Sequence, residues 1–124
     1  MRRLDHEKLQ VYQTALDFLT LADALIASLP RGHAYLADQL YRAAASICLN
    51  IAEGAGEFSP PDKARFYRVA RRSATECAAI LDVCRRLCLI SPEHTTAGRE
   101  LLVQVVAMLT AMARRRTGTP GANS

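Results

Sequence analysis

At 124 residues the chain has room for one domain and too little for two, and a domain of this size buries about two-thirds of its unfolded surface without disulfide or metal staples. Half of the residues are hydrophobic, which excludes disorder as the main state. A net charge of +4 and a pI near 9.1 permit contact with nucleic acid or an anionic surface but do not demand it. With aromatics at 6%, no Trp, and Ala and Leu recurring throughout, the composition favours helix over strand.

Three breaks divide the chain: Pro30-Arg31-Gly32, Gly54-Ala55-Gly56 through Ser59-Pro60-Pro61, and Ser91-Pro92. The first segment is expected to be helical from Asp5 to Leu29. It carries two apolar stripes, Leu9, Tyr12, Leu16, Leu19 and Ile26, and Val11, Ala15, Phe18, Ala22, Leu25 and Leu29. One stripe can face the core; the second, with Phe18, is expected to meet another subunit. Segment two runs from Ala34 to Glu53, with the core stripe Leu36, Leu40, Ala43, Ile47 and Ile51, and Gly54 is expected to end it at positive φ.

Segment three, Pro60 to Leu89, opens with Ser59 as cap, Pro60 in the first turn and Asp62 at the capping-box position. Its expected core stripe is Phe66, Val69 or Ala70, Ser73, Cys77, Ile80, Cys84 and Leu87 or Cys88. Segment four, Pro92 to Arg115, repeats the cap-then-proline device at Ser91, and Gly98 weakens its first turns. Residues 1–116 thus read as one all-α domain, an antiparallel up-and-down four-helix bundle, and 117–124 as a flexible polar tail.

Cys48, Cys77, Cys84 and Cys88 fall inside apolar helical patterns and form no C-x-x-C pair. Asp5, Glu7, Lys8, Asp17 and Asp23 interrupt the first apolar stretch, so no secretory signal is read there. No uncharged apolar run reaches the ~20 residues of a bilayer span. The cysteines therefore read as reduced core residues of a soluble cytoplasmic protein with no membrane partner.

The polar residues Gln39, Arg42, Ser46, Asn50 and Glu53 share one side of segment two. They read as an interhelical hydrogen-bond network with Glu76 of segment three, and less readily as a ligand site. Arg65, Arg68, Arg72 and Arg86 lie opposite the core of segment three, with Arg71 and Arg85 nearby and Arg114, Arg115 and Arg116 ending segment four. Such a face can hold a phosphate backbone, or dock an acidic protein partner. A base-stacking platform is not expected on it. Cys84 and Cys88 lack the two further ligands a zinc site needs, so no metal is expected. The Gly54 loop lacks a phosphate-loop ending, and no Glu-x-x-His or G-x-S-x-G motif is present. No catalytic residue or cofactor is expected, and the chain reads as non-enzymatic.

Leu36, Gln39, Leu40, Arg42, Ala43, Ala44, Ser46, Ile47, Asn50, Ile51, Ala52, Glu53 and Gly54, followed by Phe66, Ala70, Ser73 and Glu76, form a motif across segments two and three. With the opening Leu9-Gln10-Val11-Tyr12 and Ala15, it resembles the bacterial four-helix-bundle family first noted in intervening sequences of large-subunit ribosomal RNA genes. Accessory proteins of diversity-generating retroelements look like the same family. The resemblance implies an antiparallel bundle, a ring-like homo-oligomer, commonly a pentamer, and RNA or DNA binding through basic surfaces. Glu57-Phe58-Ser59 departs from a more basic loop common in the family.

Overall fold

The computed structural model describes residues 2–117, with side chains from 2 to 114. The tail at 118–124 and the side chains of Arg115 and Arg116 lie outside the described residues. A 3-10 turn at Asp5–Lys8 precedes four helices, α1 (Gln10–Ser28), α2 (Ala34–Gly56), α3 (Pro60–Arg86) and α4 (Pro92–Thr117). The first segment is therefore not one helix. Leu9 is extended (φ −85°, ψ 128°), and this break lets the 3-10 turn pack on α2.

The starts of α3 and α4 follow from their caps. The Asp62 N–H donates to Ser59 Oγ at 3.2 Å, and the His94 N–H donates to Ser91 Oγ at 3.1 Å. In both cases proline follows the cap, where its missing N–H costs no helical bond. Helix α3 stops three residues short of the expected Leu89 because the backbone turns left-handed at Cys88 (φ 60°). The Leu89 N–H then donates to the Cys84 carbonyl and the Cys88 N–H to the Arg85 carbonyl, the paired bonds of a Schellman cap. In the α1–α2 connection the positive φ falls on Gly32 (φ 93°), which has no Cβ to oppose it.

The helices pack in cyclic order: α1 on α2, α2 on α3, α3 on α4, and α4 back on α1. Side-chain contacts give their directions. Ser46 and Gly54 of α2 meet Ser73 and Tyr67 of α3, while Arg71 and Asp82 of α3 meet Thr110 and Arg99 of α4. Partner numbers fall as residue numbers rise, so α3 runs antiparallel to both neighbours. Connections of three to five residues leave successive helices little other course.

In this ring α1 needs two apolar faces within one chain, because it touches both α2 and α4. Val11, Ala15, Phe18, Ala22 and Leu25 are at most 2% exposed, and Leu9, Tyr12, Leu16, Leu19 and Ile26 pack around them half-buried. The assignment of the Phe18 stripe to a subunit contact is thereby overturned: it is the monomer's own core. The α3 stripe is also shifted. Tyr67 (1% exposed) fills the core with Ala64, Ala74 and Leu81, whereas Phe66 is half-buried and Leu87 and Cys88 are exposed.

Gly54 is helical, not left-handed, and α2 runs on to Gly56. What Gly54 provides is space. A Cβ there would lie 2.6 Å from Tyr67 Cε1 and 3.2 Å from the Lys63 carbonyl oxygen. Lys63 in turn donates from Nζ to the carbonyls of Ala55 (2.9 Å) and Gly54 (3.3 Å), closing the C-terminal end of α2. Gly98 plays a similar steric part inside α4, where a Cβ would meet Leu81 Cδ1 at 2.7 Å. By length and composition the span Pro92–Arg114 of α4 could cross a bilayer. Its Leu102, Val105 and Leu109 instead pack at 2% exposure or less in the bundle core.

Gly54→Ala should destabilise the fold by about 1–3 kcal/mol, because neither the buried Tyr67 ring nor the Lys63 backbone can yield cheaply; chemical denaturation measures it. Phe18→Glu should unfold the chain, since an unpaired charge in the core costs a large part of a typical ~5–15 kcal/mol stability. A folded but dissociated Phe18→Glu protein, seen by circular dichroism and light scattering, would contradict the core assignment.

Candidate nucleic-acid interface

Helix α3 carries seven basic side chains, Lys63 and six arginines, against the three acids Asp62, Glu76 and Asp82, a net of +4 that equals the net charge of the whole chain. Its core-facing side is apolar, so the arginines are driven to the outer surface. Arg65, Arg68, Arg71, Arg72, Arg85 and Arg86 are all exposed. They do not form one site. At 1.5 Å per residue, Arg65 and Arg86 stand roughly 31 Å apart along the axis.

The antiparallel register decides which of them group together. Arg71 Nη1 donates to Thr110 Oγ1 at 3.2 Å, which brings the last turns of α4 level with the first half of α3. Arg114, exposed on α4, thus stands near the level of Tyr67 and joins Arg65, Arg68, Arg71 and Arg72 at one end of the bundle. Arg86 lies with Arg85 at the other end. Arg115, expected at the same site, lies outside the residues with described side chains. Arg71, near the arginine face in sequence, is tied to α4 by its bond to Thr110; the register of α3 against α4 is not readable from one strip of sequence.

Within the cluster, Arg68, Arg71, Arg72, Thr75 and Glu76 line an open groove along α3. Arg65 is held loosely, with Nη2 3.6 Å from Asp62 Oδ1 and its guanidinium 4.8 Å from the Phe66 ring centroid. Both members of that ion pair are about half exposed or more, so the pair holds little energy and leaves the guanidinium free to exchange partners. Glu76 lies among the arginines and offsets part of their field.

The polar stripe of α2 resolves into smaller pieces. Ser46 Oγ and Ser73 Oγ share a hydrogen bond of 2.9 Å between α2 and α3. Asn50 Nδ2 donates to the Ser46 carbonyl and to Ser46 Oγ, at 2.9 and 3.0 Å. Arg42 pairs with Asp38 of its own helix at 2.9 Å, and among the described residues Gln39, Glu53 and Glu76 make no side-chain bond between helices. The register explains this: Ser46 stands opposite Ser73, so Glu76 is level with the Ala43–Ala44 turn, not with Asn50 or Glu53. Glu53 and Glu76 lie on exposed faces roughly 13 Å apart along the bundle, so they do not form a carboxylate pair.

Three cysteines are buried and one is not. Burial pushes the Cys48 thiol up to about 11. Burial, with smaller effects from the Glu76 charge and from Cys48, pushes Cys77 up to about 12, and burial also raises Cys84. The buried thiols therefore stay protonated and unreactive near neutrality. Cys88, expected in the core, is exposed at the α3 cap, and Cys84 and Cys88 point to different environments despite their four-residue spacing. A thiol reagent should titrate one thiol per native chain and four after unfolding; more than one in the native state would contradict this burial pattern.

The model of the 23S rRNA-intervening sequence protein family matches residues 7–111. The crystal structure of a protein of unknown function from the S23 ribosomal protein family of Bacteroides thetaiotaomicron is similar to this chain with a TM-score of 0.78 at 21% identity, covering 84% of this chain and 98% of that one. At that identity the likeness carries the fold. No curated protein matches the chain.

Proposed function

The chain belongs to the 23S rRNA-intervening sequence protein family, and from that premise we propose that it is a non-enzymatic, soluble cytoplasmic accessory protein. In this reading it assembles with copies of itself and holds RNA or DNA by the phosphate backbone. The family resemblance implies a pentameric ring. The observation that carries the nucleic-acid reading is the concentration of the chain's net charge on α3, with Arg65, Arg68, Arg71 and Arg72 exposed and Arg114 brought alongside by the register. Guanidinium groups on a rigid helix meet phosphates without reordering the backbone, and each contact releases counterions.

The mode is backbone contact without base reading. The described arginine groove holds Thr75 and Glu76 but no aromatic side chain, so nothing in it stacks on bases. Binding should therefore tolerate changes of sequence and respond steeply to salt. The second reading, a protein-interaction module that uses the same basic face for an acidic partner, is supported by Glu76 in that groove, which opposes phosphate more than it opposes a mixed protein surface.

Structured RNA and duplex DNA should bind the wild-type assembly in a salt series, with light scattering on the same samples giving the number of copies. The triple variant Arg65→Gln, Arg68→Gln, Arg72→Gln should flatten the slope of log K against log salt by up to about 2.7 on duplex DNA, at about 0.9 per lost contact. A correctly assembled wild-type protein that binds neither at low salt would sink the nucleic-acid reading and leave the acidic-partner one.

A further inference from the structure

Two features lie outside the arginine cluster. The first is Phe58, 98% exposed at the turn between α2 and α3. The second is an apolar groove of about 340 Å³ between α3 and α4. Ala74 and Ala78 keep its α3 side low, and Leu102, Val103 and Val106 form its α4 side, with Val103 61% exposed. A fully solvated phenyl ring and an unfilled apolar groove are each unfavourable, and each would be relieved by the same kind of contact.

The two cannot meet within one chain. From Pro60 to Ala74 is roughly 21 Å along a straight helix, and Phe58 is the middle residue of the three-residue turn before Pro60. We propose that Phe58 of one copy seats in the α3–α4 groove of a second copy. The proposal rests on the self-assembly part of the proposed function and gives it a specific contact.

Charge favours this occupant. Phe58 follows Glu57, and Glu53 lies one helical turn earlier; neither carboxylate has an ion-pair partner among the described residues. The basic residues next to the turn are engaged locally: Lys63 Nζ bonds the Gly54 and Ala55 carbonyls, and Arg65 leans on Asp62 and Phe66. Glu53 and Glu57 thus stand beside the ring without ion-pair partners, with the Lys63 ammonium on the carbonyls between them. Arg99 lines the groove that would receive it, in an exposed pair 3.6 Å from Asp82 that can exchange partners, and Arg71 stands beside Thr75 at its edge. Glu57 beside the ring suits a contact with arginines and opposes one with phosphate.

Knob and groove are different surfaces of the same molecule, so the contact is heterologous: each copy gives one and receives one, and the chain of contacts closes into a ring or extends as a filament. The arginine groove adjoins the apolar one along α3: Thr75 lines both, while Arg68 and Arg72 line the arginine groove alone.

The test compares wild-type protein, Phe58→Ser and Val103→Asp by light scattering over a concentration series. Both positions are exposed, and thermal melts followed by circular dichroism check that each variant stays folded. Wild type should be larger than a monomer, and each variant alone should self-associate about tenfold more weakly or worse, the loss of a central anchor. Mixed together, the variants should form a one-to-one heterodimer, because one retains the groove and the other the ring. Unchanged size in both variants, or no heterodimer in the mixture, overturns the contact while self-assembly stands. A monomeric wild type overturns both. A Phe58→Ser protein of unchanged size that has lost RNA binding overturns the contact by assigning the ring to nucleic acid.

Discussion

The close approach of α2 and α3 is the constraint on which the rest of the bundle depends. It is set at one end by Gly54, whose missing side chain leaves room for Tyr67, and by Lys63, which reaches back to bond the last carbonyls of α2. Further along, the Ser46–Ser73 hydrogen bond fixes the same register in the half-buried seam. With α3 thus rotated and held, its core residues face inward, its arginines have only the outer surface left, and α4 lies antiparallel on its remaining flank. A different rotation of α3 would exchange Tyr67 for Phe66 in the core and would redirect every basic residue on the helix.

Electrostatics follows packing in this bundle. The arginines are not gathered by attraction to anything within the molecule; they are what remains when the apolar side of α3 is buried. Their grouping depends on α4, since Arg114 is distant from Arg65 in sequence and near its level in the folded chain. The polar atoms of the α2 stripe are settled locally, in the Ser46–Asn50–Ser73 cluster and the Arg42–Asp38 pair, so most of that stripe is not an interhelical ladder.

The features legible in the sequence were those whose cause is local. Ser59-Pro60 and Ser91-Pro92 mark helix starts because cap and proline act on their own backbone, and the Ile47 stripe of α2 is periodic enough to place its core face. What depends on a partner helix was less legible. Gly54 looks like a chain terminator until Tyr67 is beside it. The Phe18 stripe looks unpartnered until α1 is seen to touch two helices. Tyr67 and Phe66 are adjacent and both aromatic, and periodicity alone does not choose between them. Cys88 looks like core because nothing in its neighbours announces a left-handed cap. The arginine face was visible in the sequence, with Arg71 beside it, but the level at which Arg114 joins it needed the register of α3 against α4.

The left-handed cap at Cys88 has a practical meaning. Its backbone is pinned by two hydrogen bonds, and its thiol is the exposed one of four. It lies at the end of α3 remote from Phe58, with the full length of a 27-residue helix between, and about half that length from the Arg65–Arg72 cluster. The natural chain therefore carries a ready-made attachment point for one fluorophore or spin label, on a pinned backbone beside Arg85 and Arg86 and away from the phenyl ring and the Arg65–Arg72 cluster. If copies associate as proposed, distances between such labels would report their arrangement without a single substitution in the protein.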